Sequence, residues 1–206
     1  MKIRLTYFDF PFWRAETSRL ALHLGGIEFE DVRPGRDDFR AKKAAGEFPY
    51  GQLPILEVDG NVFAQSVAIA KFCGKLSGLY PKDDDLAALK VDEFLDAAAQ
   101  ITSLVNPSMA EKDPARRAEM REQLGQETLP RWFGLLEQRM GPGDYLVGNS
   151  ITVADLAIWR LLGWLTGGIL DGIPNDLLKP HSRLEAHFKR IDEREDIRAW
   201  MQKHYG

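Results

Sequence analysis

The stretch FPYGQLPILEVDGN, residues 48–61, decides the fold of the first third of the chain. Ile55, Leu56 and Val58 read as a strand, Asp59-Gly60 is a two-residue hairpin turn, and Asn61-Val62-Phe63 begins the returning strand. Pro54 sits at the join. Proline cannot donate to a sheet ladder, so it is confined to strand starts and edges. Either it only opens an edge strand, or it turns the preceding backbone outward so that something else can pair with it.

On the N-terminal side of this hairpin, Ile3 to Phe8 reads as a strand. Ala15 to Leu24 reads as a helix with Leu20, Ala21 and Leu24 on one face, ended by Gly25-Gly26. Ile27 to Val32 alternates as a second strand, and Asp37 to Ala45 is a charged helical patch. Beyond the hairpin, Gln65-Ser66 introduces a helix through Val67–Phe72, with Ser66 as its N-cap. The order β-α-β-α-β-β-α describes a small mixed α/β sheet with helices on its faces.

From about Pro81 the strand signals stop. Amphipathic runs take over at Leu86–Val105, Pro114–Met140, Thr152–Thr166 and His181–His204, and Tyr80–Asp85 reads as a linker and helix start. The expectation is an α/β domain over residues 1–80 and an all-α helical-bundle domain over 81–206. Thr152-Val153-Ala154-Asp155 is a capping-box variant, with Ile151 beside it as a hydrophobic staple.

Composition excludes several classes. At 206 residues the chain can bury a sizeable core, and its 44% hydrophobic and 28% charged residues are ordinary for a soluble globular protein. A net charge of −4 with interleaved signs offers no basic face for nucleic acid. The single cysteine, Cys73, rules out a disulfide framework and sits late in a helix with no CxxC partner, so it reads as a buried small hydrophobe. The four histidines show no metal-ligand spacing, so no metal is expected. The N-terminal MKIRLTYFDF lacks an apolar signal segment and no run is long enough to span a membrane, which predicts a cytoplasmic protein.

Two polar positions have both a bland and a chemical reading. Ser66 at a helix start can simply cap it, or can join the backbone N–H groups and the helix dipole in holding a carboxylate. Tyr7 near the end of the first strand can be a core aromatic, or can donate its O–H to a thiolate or an oxyanion.

Taken in order, Tyr7-Phe8-Asp9, Arg14-Ala15-Glu16, Gly51-Gln52-Leu53-Pro54-Ile55-Leu56, Gln65-Ser66-Val67-Ala68-Ile69 and Gly148 to Asp155 resemble the cytosolic glutathione transferases over essentially the whole chain. The tyrosine-type branch fits best. The sigma class, which includes glutathione-dependent prostaglandin D synthase, is most similar, with pi-like features at Tyr50–Pro54 and Ser77–Tyr80.

The resemblance implies a thioredoxin-like first domain, a helical second domain, a homodimer and glutathione as co-substrate. It implies that Pro54 is cis and that Gly51, Gln52 and Leu53 present their backbone to the cysteinyl part of glutathione. It further implies that Gln65 and Ser66 hold the γ-glutamyl end, that Lys43 and Phe39 lie by the glycyl end, and that Asp96 reaches the partner subunit's glutathione. Tyr7 would stabilise the glutathione thiolate with help from Arg14. The expected activity is conjugation of glutathione to small hydrophobic electrophiles. The alternatives are a glutathione-dependent isomerase of the prostaglandin D synthase type and a low-turnover binding protein.

One loop departs from the family. Phe10-Pro11-Phe12-Trp13 is one residue longer than the sigma-like pattern and replaces Arg-Gly with apolar bulk. Phe10, Phe12 and Trp13 read equally as the wall of an electrophile pocket or as a loop packed against the helical domain. Val105, Asn106 and Met109 are expected to face the same pocket, from a helix interrupted at Pro107. Tyr50 is expected to insert into the partner subunit.

Overall fold

The computed structural model describes residues 1–206. Its elements run β1 (Ile3–Thr6), α1 (Trp13–Leu24), β2 (Glu30–Val32), α2 (Arg36–Ala44), β3 (Ile55–Val58), β4 (Asn61–Ala64) and α3 (Ser66–Ser77). The helices α4 (Asp85–Ala110), α5 (Pro114–Gln123), α6 (Leu129–Arg139), α7 (Val153–Thr166), α8 (Ser182–Asp192) and α9 (Glu195–Tyr205) follow. The four strands form one mixed sheet in the order β2-β1-β3-β4. β1 pairs parallel with β2 and antiparallel with β3, and β3 pairs antiparallel with β4 through the Asp59-Gly60 turn. An α/β N-terminal domain is thus followed by a helical C-terminal domain, as the sequence order implies.

Several local readings need correction. Ser66 is not the N-cap of α3. Gln65 occupies that position, with φ 77° and ψ 114°, and no side chain caps the helix. The run Pro114–Met140 is divided by a π turn at Leu124–Thr128, where Gly125 lies so close to Pro174 that a Cβ would meet its Cδ at 2.7 Å. The run His181–His204 is two helices separated at Glu193-Arg194. Pro107 does not interrupt its helix. It lies near the end of α4, where its missing N–H costs a single backbone bond.

The core is continuous from the sheet into the helical bundle. α7 carries only one basic residue, Arg160, and nearly every side chain on it is buried. Its first turn is fixed by the capping box, with Asp155 fully buried. The Asp155 carboxylate accepts from the N–H of Leu146 at 2.8 Å, from the N–H and Oγ1 of Thr152 at 2.7 and 2.8 Å, and bonds His187 Nε2 at 2.8 Å. One side chain therefore joins the loop before α7, α7 itself and α8. Cys73 is fully buried in α3, and burial pushes its thiol up to about 12.

Two outcomes are expected. Asp155→Ala strands several buried donors and lowers unfolding free energy by about 3 kcal/mol or more in urea titration. A wild-type urea midpoint would contradict that account. A thiol reagent at neutral pH leaves Cys73 unmodified in the folded protein and reacts with it fully in denaturant.

Candidate active site

The site begins where the sheet hands the chain to α3. The Leu53-Pro54 peptide is cis, and β3 starts immediately after it at Ile55. Neither the N–H nor the C=O of Leu53 takes part in the backbone hydrogen bonds made by loops and turns. Buried backbone groups are nearly always paired. An unpaired peptide beside a cleft is therefore a place for a ligand backbone.

Across from it stands the N-terminus of α3. Gln65 is one of two non-glycine residues with positive φ, a conformation that costs on the order of 1–3 kcal/mol and persists where surrounding structure enforces it. With no side-chain cap, the first N–H groups of α3 and the positive end of its dipole face outward.

A cleft of about 230 Å³ gathers these features. Its lining includes Arg14, Gln52, Leu53, Pro54, Gln65 and Ser66, joined by Trp13, Tyr50, Ala64, Val67 and, from α4, Ala99 and Ser103. Asp96 is exposed on α4, three and seven residues before Ala99 and Ser103, and so shares their side of the helix. Lys43 lies by Gly51, its Cε 3.5 Å from where a Cβ would stand at that positive-φ glycine. Phe39 lies beneath the Lys43 ammonium at 5.8 Å and packs on Phe48 and Phe8. The residues expected at the glutathione end are thus brought to one region.

Tyr7 is not among the residues that line this cleft; its ring lies 5.5 Å from that of Phe8. Its residue is buried, at 7% exposure, while its hydroxyl is not among the sealed polar atoms that lack a partner. Burial raises the phenol above its ordinary value near 10, and the cations Arg14 and Arg19 oppose the rise. At neutral pH the phenol keeps its proton and is able to donate it to an anion.

The loop before α1 packs against the helical domain. Phe12 meets the Trp164 ring edge-on at 4.9 Å, and Trp13 donates through Nε1 to Thr102 Oγ1 at 2.8 Å. Arg160 donates to the Pro11 carbonyl from Nε at 3.1 Å and from Nη2 at 2.7 Å. Of the six residues expected around an electrophile, only Trp13 touches the cleft. Phe10 instead lines a separate open recess with Phe8, Pro34 and Phe39, on the α2 side.

Val105 belongs to the core rather than to a pocket wall, at 0% exposure. It continues the stripe Ala98, Ile101, Thr102 on the buried face of α4. Asn106 is exposed, and Met109 is turned toward α5, its sulfur accepting from Arg121 Nη2 at 3.4 Å.

Four residues that the sequence did not single out matter here. Ala99 and Ser103 complete the cleft, and Trp164 and Arg160 hold the loop. Only Arg160 left a signal, as the lone cation of a largely apolar helix.

With this geometry in place, the comparisons are consistent with one another. Residues 3–74 match the family described as glutathione S-transferase, N-terminal domain, and residues 100–204 match glutathione S-transferase, C-terminal domain. The chain is 31% identical over 204 residues to glutathione S-transferase 1 of Ascaris suum, covering 96% of this chain and 94% of that protein. It is 30% identical to hematopoietic prostaglandin D synthase of Homo sapiens, covering 97% and 95%. Among solved structures it is similar to prostaglandin synthase D of Nilaparvata lugens, with a TM-score of 0.85 and 28% identity over 98% of each chain. The loop contacts, the cleft at the start of α3 and these matches lead to one conclusion: the chain belongs to the glutathione S-transferase family.

Proposed function

We propose that this glutathione S-transferase binds glutathione in the cleft at the start of α3, activates its thiol through Tyr7, and transfers the thiolate to a small hydrophobic electrophile. The observation that carries the reading is the meeting of three groups in one cleft: an uncapped helix N-terminus, an unpaired Leu53 peptide and the Arg14 side chain. The γ-glutamyl carboxylate suits the start of α3 at Gln65 and Ser66. The cysteinyl backbone suits Leu53, and the glycyl carboxylate suits Lys43.

The energetics are adequate. A free thiol titrates near about 8.5, so little is ionised at neutral pH. Lowering that by about two units requires roughly 2.7 kcal/mol of preference for the anion. One charge-assisted hydrogen bond supplies about 1.5–3 kcal/mol. The Tyr7 hydroxyl therefore accounts for most of the shift, with Arg14 and the helix dipole adding to it. The thiol proton leaves to solvent. The sulfur then forms a bond to an electrophilic carbon as the leaving group departs with its electron pair.

The recess toward α2 sets Phe8, Phe10 and Phe39 beside Asp9, Arg36 and Arg40, and would suit a second substrate with an apolar body and a polar group. Similarity to hematopoietic prostaglandin D synthase supports a second reading, an isomerase that uses the same thiolate and returns glutathione unchanged.

A homodimer is part of the proposal. Tyr50, Val62 and Phe63 are exposed around an apolar groove completed by Phe72 and Ile69, and Leu86 and Leu89 are exposed on α4. Apolar surface of this kind favours a covering partner. In that assembly Asp96 would reach the partner subunit's glutathione.

In conjugation of glutathione to a chlorinated dinitrobenzene, Tyr7→Phe should lower kcat by about tenfold or more with the KM for glutathione little changed. Equal activity of the two proteins would remove Tyr7 as the thiol donor. Retention on glutathione resin without turnover would favour a binding protein. In sedimentation equilibrium the wild type should be a dimer and Phe63→Asp a monomer. A monomeric wild type would refute the assembly.

A further inference from the structure

A fully buried ion pair lies on α1, outside the cleft. Glu16 and Arg19 both have fully buried side chains and pair at 3.2 Å. The Glu16 carboxylate also accepts from Trp200 Nε1 at 2.6 Å and from the Tyr205 hydroxyl at 2.5 Å, both on α9. Arg19 donates from Nη1 to the Tyr205 oxygen at 3.1 Å and from Nε to Asp31 of β2 at 2.9 Å. Its remaining nitrogen, Nη2, donates to the main-chain carbonyls of Tyr7 at 3.4 Å and Phe8 at 3.3 Å. One connected set of bonds therefore runs from the last turn of α9, through α1, to the peptide that carries the Tyr7 phenol.

The segment is also held locally, the Phe8 carbonyl accepting from the N–H of Phe10 at 2.8 Å, while Arg19 is the partner of the Tyr7 carbonyl. Tyr7 lies just past the end of β1, secured on the N–H side by a bond to the Val32 carbonyl at 3.0 Å. On the other side, Asp31 is shared with Arg33, which also bonds Asp9 and meets His204 Nδ1 at 3.3 Å. Burial raises the Tyr205 phenol well above its ordinary value, so it remains a donor to Glu16. A buried charge stripped of one partner is costly, and its neighbours rearrange to recover the bond. A change on α9 is thus felt at residues 7 and 8.

We propose that Tyr205 and Trp200 are positioning residues for thiol activation: by holding Glu16 they fix Arg19, and Arg19 fixes the Tyr7–Phe8 backbone so that the phenol points at the thiol. The proposal rests on the reading of Tyr7 as thiol donor. A misplacement of about 1 Å at a reacting group costs on the order of a hundredfold, and a partial loosening costs less.

The test uses Tyr205→Phe, which removes one hydroxyl and keeps the ring. It should lower kcat for glutathione conjugation about tenfold and move the pH midpoint of thiolate formation upward, with the KM for glutathione little changed. In a Tyr7→Phe background the same substitution should have no further effect on kcat. Independently of turnover, protein containing 3-fluorotyrosine should show the position-7 fluorine resonance, assigned by its loss in Tyr7→Phe, shifted or broadened by Tyr205→Phe.

A variant with a lowered melting temperature but a wild-type pH midpoint and an unmoved Tyr7 resonance would overturn the proposal, leaving α9 a stabilising contact only. If Tyr7→Phe itself keeps full activity, the thiol-donor reading fails, and the fluorine resonance still decides whether α9 positions Tyr7. Should Tyr205→Phe not fold, Trp200→Phe, which removes the other α9 donor to Glu16, carries the same readouts.

Discussion

Burial of a glutamate and an arginine on α1 is the constraint around which the two domains assemble. Nine of the twelve residues of α1 are buried, because α3 covers one side of the helix and α7 the other. Desolvating a carboxylate and a guanidinium costs several kcal/mol per ion, and their mutual attraction offsets this only when the remaining donors and acceptors are also satisfied. Those partners come from β2, from the β1–α1 loop and from α9. None of these can be absent without leaving a charge exposed to a low-dielectric interior. The helical domain is therefore a structural requirement of the α/β domain, and the geometry near Tyr7 is an outcome of how both pack on one helix.

The same packing settles the fate of the long loop before α1. The helix begins at Trp13, two residues earlier than its apolar spacing suggests, so Arg14 falls in the first turn and lines the cleft. The added apolar bulk is taken up by Phe12 against Trp164 and by Trp13 against Thr102. The two hydrogen bonds from Arg160 to the Pro11 carbonyl fix the loop where the chain turns. Of the two readings that the sequence left open, Phe12 and Trp13 are packed against the helical domain, while Phe10 stays on the open side. The open recess that Phe10 lines lies toward α2 and is separate from the cleft.

What the sequence revealed follows from how local each signal is. The hairpin at Asp59-Gly60 and the capping box at Thr152–Asp155 are written in consecutive residues and are recovered almost residue for residue. The positive φ of Gln65 was not legible, because glutamine has no preference for that region and the strain is imposed by the turn before α3. The break at Glu193-Arg194 was hidden because charged residues continue the polar face of a helix whether or not it bends. The burial of α1 on all sides was hidden too, since periodicity reports only the stripe facing the sheet and is silent about a second domain. Val105 was misplaced for the same reason: α4 packs on α7, a helix that lies far along the chain.

The state of the Tyr7 phenol shows why the cleft and the buried pair belong together. A nearby cation stabilises any anion, so Arg14 and Arg19 favour ionised phenol as well as ionised thiol. Acting alone, they would make the phenol easier to ionise and so less secure as a donor. Burial acts in the opposite direction, and on Tyr7 it outweighs both cations. On the proposed reading the phenol stays protonated because burial opposes its ionisation against the pull of the two arginines, while a thiol, which ionises more readily to begin with, would gain from the hydroxyl it meets. The carbonyls of Tyr7 and Phe8, held on Arg19, tie that buried phenol to the enclosed helix, which is the physical link the positioning proposal draws on.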